Sequence, residues 1–486
     1  MMCIDYDLNE LCDPGFTCPL ENVTVDGSCA VDCSACEELP PLPTGILATD
    51  LDLVVEGTDA YVSGYAPGVA VNAAYQYGDL VFGTLSGGDA AEIEWEIVDG
   101  VPSGGRPTGS VTGWRGGIQD AGDDVGRWTS MARSADGTFY IAYYDVTNSA
   151  LKIAIGRPGT WATHTVDAAA DSGRYTSIVL TASGAPAIAY MRVEPAADMS
   201  GRVHSAVRVA TASSAMPAAS SDWTSTEVSG IDGACRPEFC AEGQACLETG
   251  SCVTPAAGCS PACGDGQACF AGSCQAALVD PYVEDLFPGR GLYAQLARTS
   301  GGLALTFYDR SAGNFYGAAF DGAAWGAPFL IDGYGRTGAG DSGMGSSLFV
   351  DAMGVWHVTY VDGTDEGLRY AQISGGMVTV RELVDDGTTD GSTPHSDGRH
   401  IVGDDSSVVV TASGEVRVAY QDATTHALMI ARRSGTSWTT RVADDMDHTG
   451  FWVEQATTAT GSRVATWWRR QMMRNTIDGV RVVSGD

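Results

Sequence analysis

The sequence has almost no lysine and little positive charge. Of its 27 Lys and Arg residues only Lys152 is a lysine, against 61 Asp and Glu, and the formal net charge is −34. Binding to nucleic acid depends on a dense basic surface, so we expect no nucleic-acid partner. The positive charge that is present sits on guanidinium groups, which are suited to recognising carboxylate or phosphate.

Long apolar runs are also missing. The chain is 44% hydrophobic, but its longest apolar patches are short, such as residues 139–144. A transmembrane helix needs about 18 or more consecutive apolar residues, so we expect no transmembrane segment. Residues 1–5 have neither the basic nor the apolar region of a signal peptide, and we expect that a leader was removed from an extracellular or cell-surface protein.

Local catalytic signatures are absent too. The seven histidines show no HExxH spacing, and the chain has neither a GxSxG elbow nor a GxxxxGK[ST] phosphate loop. The sequence therefore names no catalytic residue. Enzymes that assemble their site from distant segments leave no such signature, so the enzymatic question stays open, with a non-enzymatic protein favoured.

Cysteines occur in two clusters only. Both segments are rich in Gly, Pro and acidic residues, so neither could bury a core without covalent links. Most gaps exceed those of zinc ribbons, and we predict disulfides rather than zinc sites. In the second cluster, residues 240–252 and 263–274 form a tandem repeat. The clusters are Cys3, Cys12, Cys18, Cys29, Cys33 and Cys36, then Cys235, Cys240, Cys246, Cys252, Cys259, Cys263, Cys269 and Cys274.

A longer period covers most of the chain. Residues 130–167 read as four short strands joined by tight turns. The second strand of this unit ends in an aromatic-x-Asp motif that recurs, and tryptophans recur in the fourth strand. The motifs are Tyr143-Tyr-Asp145, Phe307-Tyr-Asp309, Tyr360-Val-Asp362 and Tyr420-Gln-Asp422, and the tryptophans are Trp95, Trp161, Trp223, Trp325 and Trp438.

Degenerate copies of the motif bring the count to seven units, which begin near residues 46, 127, 174, 291, 345, 404 and 450. Seven four-stranded units predict an all-β fold, a seven-bladed β-propeller of antiparallel blades. The last unit shows no fourth strand, and residues 45–48 are the candidate to supply it. We predict an N-terminal cysteine-rich module at 1–44, blades 1–3 at 45–229, a cysteine-rich insertion at 230–290 and blades 4–7 at 291–486.

On these motif and tryptophan positions the chain resembles secreted bacterial seven-bladed propellers with sialidase-like or lectin-like repeats and small cysteine-rich inserts. The resemblance covers roughly residues 46–486 and implies the fold more than the function. Sialidases depend on an arginine triad, a Tyr/Glu pair and Asp boxes. The nearest Asp-box match, residues 134–139, is one residue too short, which weakens the hydrolase alternative.

Arginines and aromatics near the innermost strands are the candidate binding residues. Five Gly-Arg pairs precede predicted innermost strands, and their guanidinium groups would bind an anion or glycan on which nearby aromatics stack. The alternative is that each arginine pairs with a motif aspartate and joins neighbouring blades. Arg192 and Arg469 replace that aspartate in two blades, which favours a ligand near blades 3 and 7. The full set is Arg127, Arg174, Arg192, Arg290, Arg336, Arg399, Arg469, Trp128 and Tyr175.

Acidic loops raise the question of a metal. Oxygen-rich clusters on flexible loops suit calcium, and the candidates are Asp123, Asp124, Asp404 and Asp405. The alternative is that these loops are solvated acidic turns. We expect no organic cofactor.

The leading functional hypothesis is a non-enzymatic extracellular or cell-surface protein for recognition or adhesion. Its partner would be a glycan or a protein at a surface. One alternative is a structural subunit of a surface assembly or filament, in which copies of the chain contact one another. The other alternative is a secreted carbohydrate-active hydrolase or lyase.

The cysteine pattern gives a direct test. We expect three disulfides within residues 3–36 and four within residues 235–274, because both counts are even and no cysteine lies elsewhere. Thiol titration of the oxidised, denatured protein should find no free thiol. A bridge between the clusters in a peptide map would contradict the prediction.

Overall fold

The structure is a computed structural model. It describes residues 48–67, 78–87, 93–102, 118, 121–198, 201–236, 239–247, 251–256, 259–264, 266–277, 289–333, 340–388, 399–471 and 476–486. Within these residues the fold is all-β, with one short 3-10 helix, Ser220–Asp222, and no helix that could span a membrane. Seven antiparallel sheets form a ring, and two small hairpins accompany them. The predicted seven-bladed propeller is confirmed.

Each blade is a meander whose strands follow chain order. Blade 1 contains β1 Thr49–Glu56, β2 Asp59–Ala66, β3 Asp79–Leu85 and β4 Glu94–Asp99. Blade 2 contains β5 Val125–Arg133, β6 Phe139–Asp145, β7 Ala150–Arg157 and β8 Thr160–Asp167. Blade 3 contains β9 Asp171–Leu180, β10 Pro186–Pro195, β11 Arg202–Ala212 and β12 Trp223–Cys235. The two hairpins are β13 Ala245–Cys246 with β14 Cys252–Val253, and β15 Gln267–Phe270 with β16 Ser273–Ala276.

The remaining blades follow the hairpins. Blade 4 contains β17 Arg290–Arg298, β18 Leu303–Asp309, β19 Asn314–Phe320 and β20 Phe329–Gly333. Blade 5 contains β21 Ser342–Val350, β22 Trp356–Asp362, β23 Gly367–Ser374 and β24 Met377–Asp385. Blade 6 contains β25 Val402–Val410, β26 Val416–Asp422, β27 Ala427–Ser434 and β28 Ser437–Asp444. Blade 7 contains β29 His448–Thr457, β30 Ser462–Gln471 and β31 Thr476–Ser484.

The first strand of each blade lies at the centre of the ring. Each of these inner strands contacts the inner strand of the next blade, and β29 contacts β1. An apolar cluster seals this last junction, with Leu51, Leu53 and Val62 of blade 1 against Ala465 and Val482 of blade 7. The ring therefore closes through apolar packing between the last blade and the first.

The seventh sheet has three strands, as the sequence indicated. Of the segment predicted to complete it, residues 45–47 lie outside the described residues. Ala48 is buried in the cluster that seals blade 1 against blade 7, and it precedes β1 rather than forming part of a strand.

Tyrosine hydroxyls on the second strands join four of the blades, blades 2, 3, 5 and 6, to the blade before each of them. Tyr143 Oη donates to Asp99 Oδ2 at 2.7 Å, and Tyr360 Oη donates to Asp332 Oδ2 at 2.7 Å. Each acceptor lies at or next to the last residue of the outer strand of the preceding blade. The same bond joins Tyr190 to Asp167 and Tyr420 to Asp385. The tyrosine of the aromatic-x-Asp motif is thus a junction residue between blades.

The next position on the second strand points to the following blade, because adjacent residues of a strand face opposite sides of the sheet. Tyr144 Oη donates to Asp171 Oδ1 at 2.8 Å, at the start of the next inner strand. Tyr65 donates to Asp124 at 2.8 Å, and Tyr308 donates to Asp341 in the same way. A single strand can therefore hold both neighbouring blades.

Tryptophans join the outer strands. Trp161 Nε1 donates to Glu96 Oε1 at 3.0 Å, and Trp438 Nε1 donates to Glu382 Oε2 at 2.9 Å, each on the preceding blade. Four of the five predicted tryptophans lie in fourth strands. Trp325 does not, because it precedes β20 and pairs with Phe320 as an isolated bridge.

The cysteine-rich insertion is fixed to blade 3. Strand β12 runs directly into it, and Phe239 packs against Val193 and Val203 of the long β10–β11 hairpin. The four predicted disulfides of this segment are confirmed, and each half of the insertion has two that cross in sequence. They join Cys235–Cys246, Cys240–Cys252, Cys259–Cys269 and Cys263–Cys274. The first cluster, Cys3 to Cys36, lies outside the described residues.

The tyrosine–aspartate junctions predict a specific loss of stability. Tyr420→Phe leaves the half-buried Asp385 Oδ2 without the donor that the buried tyrosine supplies, and the loss of such a hydrogen bond costs about 0.5–1.5 kcal/mol. We expect urea unfolding to show a loss of this size. Tyr61→Phe, a half-buried tyrosine outside these pairs, is the matched control and should change stability by less than about 0.5 kcal/mol. Equal losses in both variants would contradict the proposed junction.

Candidate functional site

Every inner strand carries a β-bulge close to its start. In blade 2, Arg127 pairs with Tyr144 and Ser130 pairs with Ala142, so the inner strand contains one residue more than its partner. At the bulge one residue of each inner strand adopts the left-handed backbone conformation, with φ between 47° and 54°. These seven residues are Asp50, Trp128, Tyr175, Tyr293, Gly345, Asp405 and Trp452.

A glycine two residues before the left-handed position makes the bulge possible. Gly126 has φ 111°, and a Cβ there would lie 2.8 Å from the backbone of Leu80 in the preceding blade. Gly173 is equivalent, with φ 114° and the same distance to Leu151. Both the backbone conformation and the close approach exclude a larger side chain.

The seven bulges surround a cavity of about 460 Å³ where the inner strands begin. All seven left-handed residues line it. Non-glycine residues in this conformation cost about 1 kcal/mol or more each, and such strained positions cluster at ligand sites. The cavity has the size of a small-molecule pocket, for which about 300–1,000 Å³ is typical.

One side of the cavity is aromatic. Trp128, Tyr175 and Tyr293 come from three consecutive blades, with ring centroids 4.9 Å and 5.0 Å apart. Tyr175 is almost fully buried, whereas Trp128 and Tyr293 are half-buried and expose part of their rings. Arg174 covers Trp128 at 5.7 Å, and Arg127 lies over Tyr65 at 5.4 Å.

The opposite side is acidic. Asp50, Asp405 and Glu454 line the cavity from blades 1, 6 and 7. Burial raises the pKa of Asp405 to about 7, although Trp452 N–H donates to its carboxyl at 2.8 Å. Burial likewise raises the pKa of Glu454, and the neighbouring Asp52 carboxyl adds to this effect. These carboxyl groups therefore hold protons at pH values where exposed carboxyls are ionised.

Asp52 and Glu454 occupy a position that is serine in several other blades. In those blades the serine hydroxyl accepts from a backbone N–H of the next inner strand, as in Ile178 N to Ser130 Oγ at 3.1 Å. Asp52 accepts the same bond from Met131 N at 2.5 Å. Burial raises the pKa of Asp52 to about 6. Blades 1 and 7 therefore carry a titratable carboxyl at the position where the other blades named here carry a serine hydroxyl.

The described arginines of the predicted ring do not all occupy equivalent positions on their inner strands. Gly126 and Gly173 hold the glycine position of the bulge, so Arg127 and Arg174 are equivalent. In blades 4 and 6 that position is taken by Gly291 and Gly403, and hence Arg290 and Arg399 precede it. Arg336 lies outside the described residues. Among the described arginines of the predicted set, Arg127 lines the cavity, together with Trp128 and Tyr175.

The other predicted arginines contact groups on the blades themselves. Arg174 pairs with Asp171 at 3.1 Å, and Arg290 pairs with Asp309 at 2.7 Å within its own blade. Arg192 pairs with Glu194 at 2.5 Å, so the local charge expected there has a carboxylate partner. Arg469 lies over the Trp467 ring at 4.8 Å.

The motif aspartates have different partners. Asp309 pairs with Arg290 of the predicted set, and Asp362 pairs with Arg369 at 2.7 Å. Asp422 accepts from the buried His400 at 2.7 Å. Arg290 does join blades, because its guanidinium donates to Asp309 of blade 4 and to Ser229 of blade 3. That every blade has such an arginine stays a prediction, and the tyrosines on the second strands make junctions of their own.

The predicted calcium ligands do not come together. Asp124 accepts from Tyr65 Oη and the Gly78 N–H, Asp123 is exposed, and Asp405 faces the cavity. Among the described residues, groups of three ligand-bearing side chains are formed by disulfide cysteines and by Glu194, His204 and Glu227. None of these groups includes Asp123, Asp124, Asp404 or Asp405.

Sequence reasoning missed most of the cavity lining. The predicted binding set does not contain the lining residues Asp50, Tyr293, Trp452 and Glu454. The usable signal was the glycine two residues before each left-handed position, as in Gly450 before Trp452. An alignment of the repeats on this glycine, rather than on Gly-Arg pairs, would have identified six of the seven left-handed residues that line the cavity.

No protein-family model matches the chain, and no curated protein matches it. Solved structures with some similarity include polysaccharide lyase Uly1, at 9% identity and TM-score 0.44, covering 90% of each chain. A Hadza microbial sialidase shows 10% identity and TM-score 0.40, over 90% of this chain and 65% of that one. An Aleuria aurantia lectin in complex with α-methyl-L-fucoside shows 12% identity and TM-score 0.37, over 82% and 97%. Similarity this low transfers no function.

The raised pKa values predict how stability depends on pH. Asp405 has a pKa near 7 in the fold, against 3.8 ordinarily, so the folded state binds its proton more tightly than the unfolded state. Its contribution is complete below about pH 4 and is lost as pH rises through about 7. Relative to Asp405→Asn, the parent should lose about 2 kcal/mol between pH 4 and pH 8, allowing for water that reaches the carboxyl.

Urea unfolding of both proteins across this range measures the difference. Asp321→Asn is the control, because backbone N–H groups lower the pKa of this exposed carboxyl, opposite in direction to the shift of Asp405. A parent and an Asp405→Asn variant with parallel stability curves from pH 4 to pH 8 would contradict the prediction.

Proposed function

We propose that this protein is a non-enzymatic extracellular or cell-surface recognition protein that binds a neutral glycan in its central cavity. The observation that carries the proposal is the convergence of the seven left-handed residues on one pocket. Three of them form the aromatic side, and carboxyl groups lie opposite. The fold supplies a rigid frame for this pocket, since every lining residue belongs to an inner strand or lies beside one.

The two sides of the cavity match the two surfaces of a sugar. The C–H face of a pyranose packs against aromatic rings, and the half-buried Trp128, Tyr293 and Trp452 offer such rings. Sugar hydroxyls both donate and accept. Asp50 and Asp405 can accept from them, while the Gln295 amide and the Arg127 guanidinium can donate. A volume of about 460 Å³ accommodates one or two sugar rings.

Charge favours a neutral ligand over an anionic one. Among the described residues a single guanidinium, that of Arg127, lines the cavity, and the whole chain carries −34. An anionic glycan would meet like charge on approach. Of the binding residues predicted from the sequence, Arg127, Trp128 and Tyr175 line the cavity and belong to this proposal, while an anion site near Arg192 and Arg469 stays a prediction.

Four disulfides in the insertion are compatible with an oxidising extracellular location. Two experiments distinguish this proposal from the alternatives of a structural subunit and a carbohydrate-active enzyme. A structural subunit would assemble with itself in native mass spectrometry, and a hydrolase or lyase would turn over a polysaccharide panel.

A glycan array followed by calorimetry tests the proposal. We expect the parent to bind neutral glycans and Trp128→Ala to weaken binding about tenfold or more, because lost ring contact of about 1.4 kcal/mol corresponds to a factor of ten. Trp325→Ala is the matched control. Trp325 is also half-buried but lies between blades 3 and 4, away from the cavity, and its loss should leave binding unchanged.

Three results would overturn the proposal. The first is a parent that binds no glycan on the array. The second is binding restricted to sulfated or sialylated glycans, which would favour the anion site. The third is equal binding by the parent and the Trp128→Ala variant, which would place the ligand outside the cavity.

A further inference from the structure

A second group of chemically active side chains lies on blade 3, outside the cavity. Glu194, His204 and Glu227 come from the three strands β10, β11 and β12, and their ligand atoms lie within 4.8 Å of one another. All three belong to the long end of the blade, close to the start of the cysteine-rich insertion. Neither the aromatic-x-Asp repeat nor the cavity uses them.

A fourth carboxylate orients the histidine. His204 Nδ1 lies 2.7 Å from Asp232 Oδ1, and because an ionised carboxylate only accepts, Nδ1 carries the hydrogen. Nε2 then faces the Glu227 carboxylate, with Oε1 at 3.3 Å and Oε2 at 3.4 Å. This is the carboxylate–histidine arrangement that holds a metal-ligating imidazole in place.

The space and spacing suit a small cation. A Cβ on Gly230 would lie 2.6 Å from both Glu227 Oε1 and His204 Nε2, so the absence of a side chain there lets the two groups converge. Bonds of about 2.0–2.1 Å to a tetrahedral zinc ion place two ligands about 3.3 Å apart. The Nε2 to Oε1 distance of 3.3 Å corresponds to one edge of such a tetrahedron.

Two arginines hold the glutamates. Arg192 contacts Glu194 Oε2 at 2.5 Å, and Arg208 contacts Glu227 Oε2 at 3.1 Å. Each contact engages Oε2 and orients the carboxylate, so that Oε1 is the oxygen available to a cation. The two guanidinium groups also offset part of the negative charge of the glutamates. A cation that needs many carboxylate ligands is therefore less favoured here than one that binds nitrogen and oxygen ligands together.

We propose that Glu194, His204 and Glu227 form a binding site for a divalent transition-metal ion such as Zn²⁺, with Asp232 as the positioning residue for His204. A nitrogen ligand favours zinc over calcium, which prefers oxygen ligands alone. Three protein ligands leave one tetrahedral position for water. The site is independent of the glycan proposal, because no residue is shared with the cavity lining.

Calorimetric titration of the oxidised full chain with ZnCl₂ tests the site. We expect one equivalent of Zn²⁺ to bind, with a Kd well below about 1 mM. His204→Gln should abolish this binding event, and Asp232→Asn should weaken it by about 10- to 100-fold. His164→Gln is the matched control, since His164 accepts from Trp223 outside the cluster and its loss should leave zinc affinity unchanged.

Melting curves without metal establish that each variant is folded. If His204→Gln does not fold, Glu194→Gln and Glu227→Gln, on separate strands, take its place and should each weaken zinc binding. A parent that binds no zinc at 1 mM would overturn the proposal and favour a protonated His204 in a purely ionic network. Zinc binding that survives in the folded cluster variants would overturn it as well.

Discussion

The structure depends on tyrosine hydroxyls that must find acceptors between blades. A buried hydroxyl without a partner is costly, and in this chain the partner is an aspartate on the neighbouring blade. Tyr143 and Tyr144 show the principle on one strand, since one donates backwards to Asp99 and the other forwards to Asp171. These bonds fix the separation and the tilt of successive blades. Tryptophans at the outer strands and serines at the inner strands add further hydrogen bonds across the same junctions.

Because these hydrogen bonds between blades hold the fold together, the residues around the central cavity can differ from blade to blade. Each inner strand bulges at the same height, so the fold presents seven positions around one cavity without specifying what occupies them. The chain uses three adjacent aromatic residues on one side and carboxyl groups on the other. The strained backbone at these positions is sustained by the junctions around it, in particular by close packing of glycine against the preceding blade. Such a pocket is rigid, and a rigid pocket loses little entropy when it binds a ligand.

Blade 3 departs most from the repeat. Its strands β10 to β12 extend beyond those of the other blades, β12 continues into the disulfide-linked insertion, and the extension carries the histidine–carboxylate cluster. The junction to blade 4 has Phe307 where blades 2, 3, 5 and 6 have the donating tyrosine. Apolar packing in the cluster around Val207 and Phe307 replaces the hydrogen bond there. The insertion therefore interrupts the chain at a junction that lacks the tyrosine–aspartate bond, although Arg290 of blade 4 still donates to Ser205 and Ser229 of blade 3.

The sequence by itself determined the repeat, the number of blades and the disulfide segment at residues 235–274, because strand periodicity, aromatic-x-Asp motifs and clustered cysteines are local patterns. Only the tertiary structure decided which residues meet across blades. Asp99 and Tyr143 are 44 positions apart, and nothing local marks Asp99 as the acceptor. The same limit explains the arginines. Gly-Arg pairs look equivalent along the chain, but a bulge shifts the register, and a shift of a few residues decides whether a side chain lines the cavity or lies outside it.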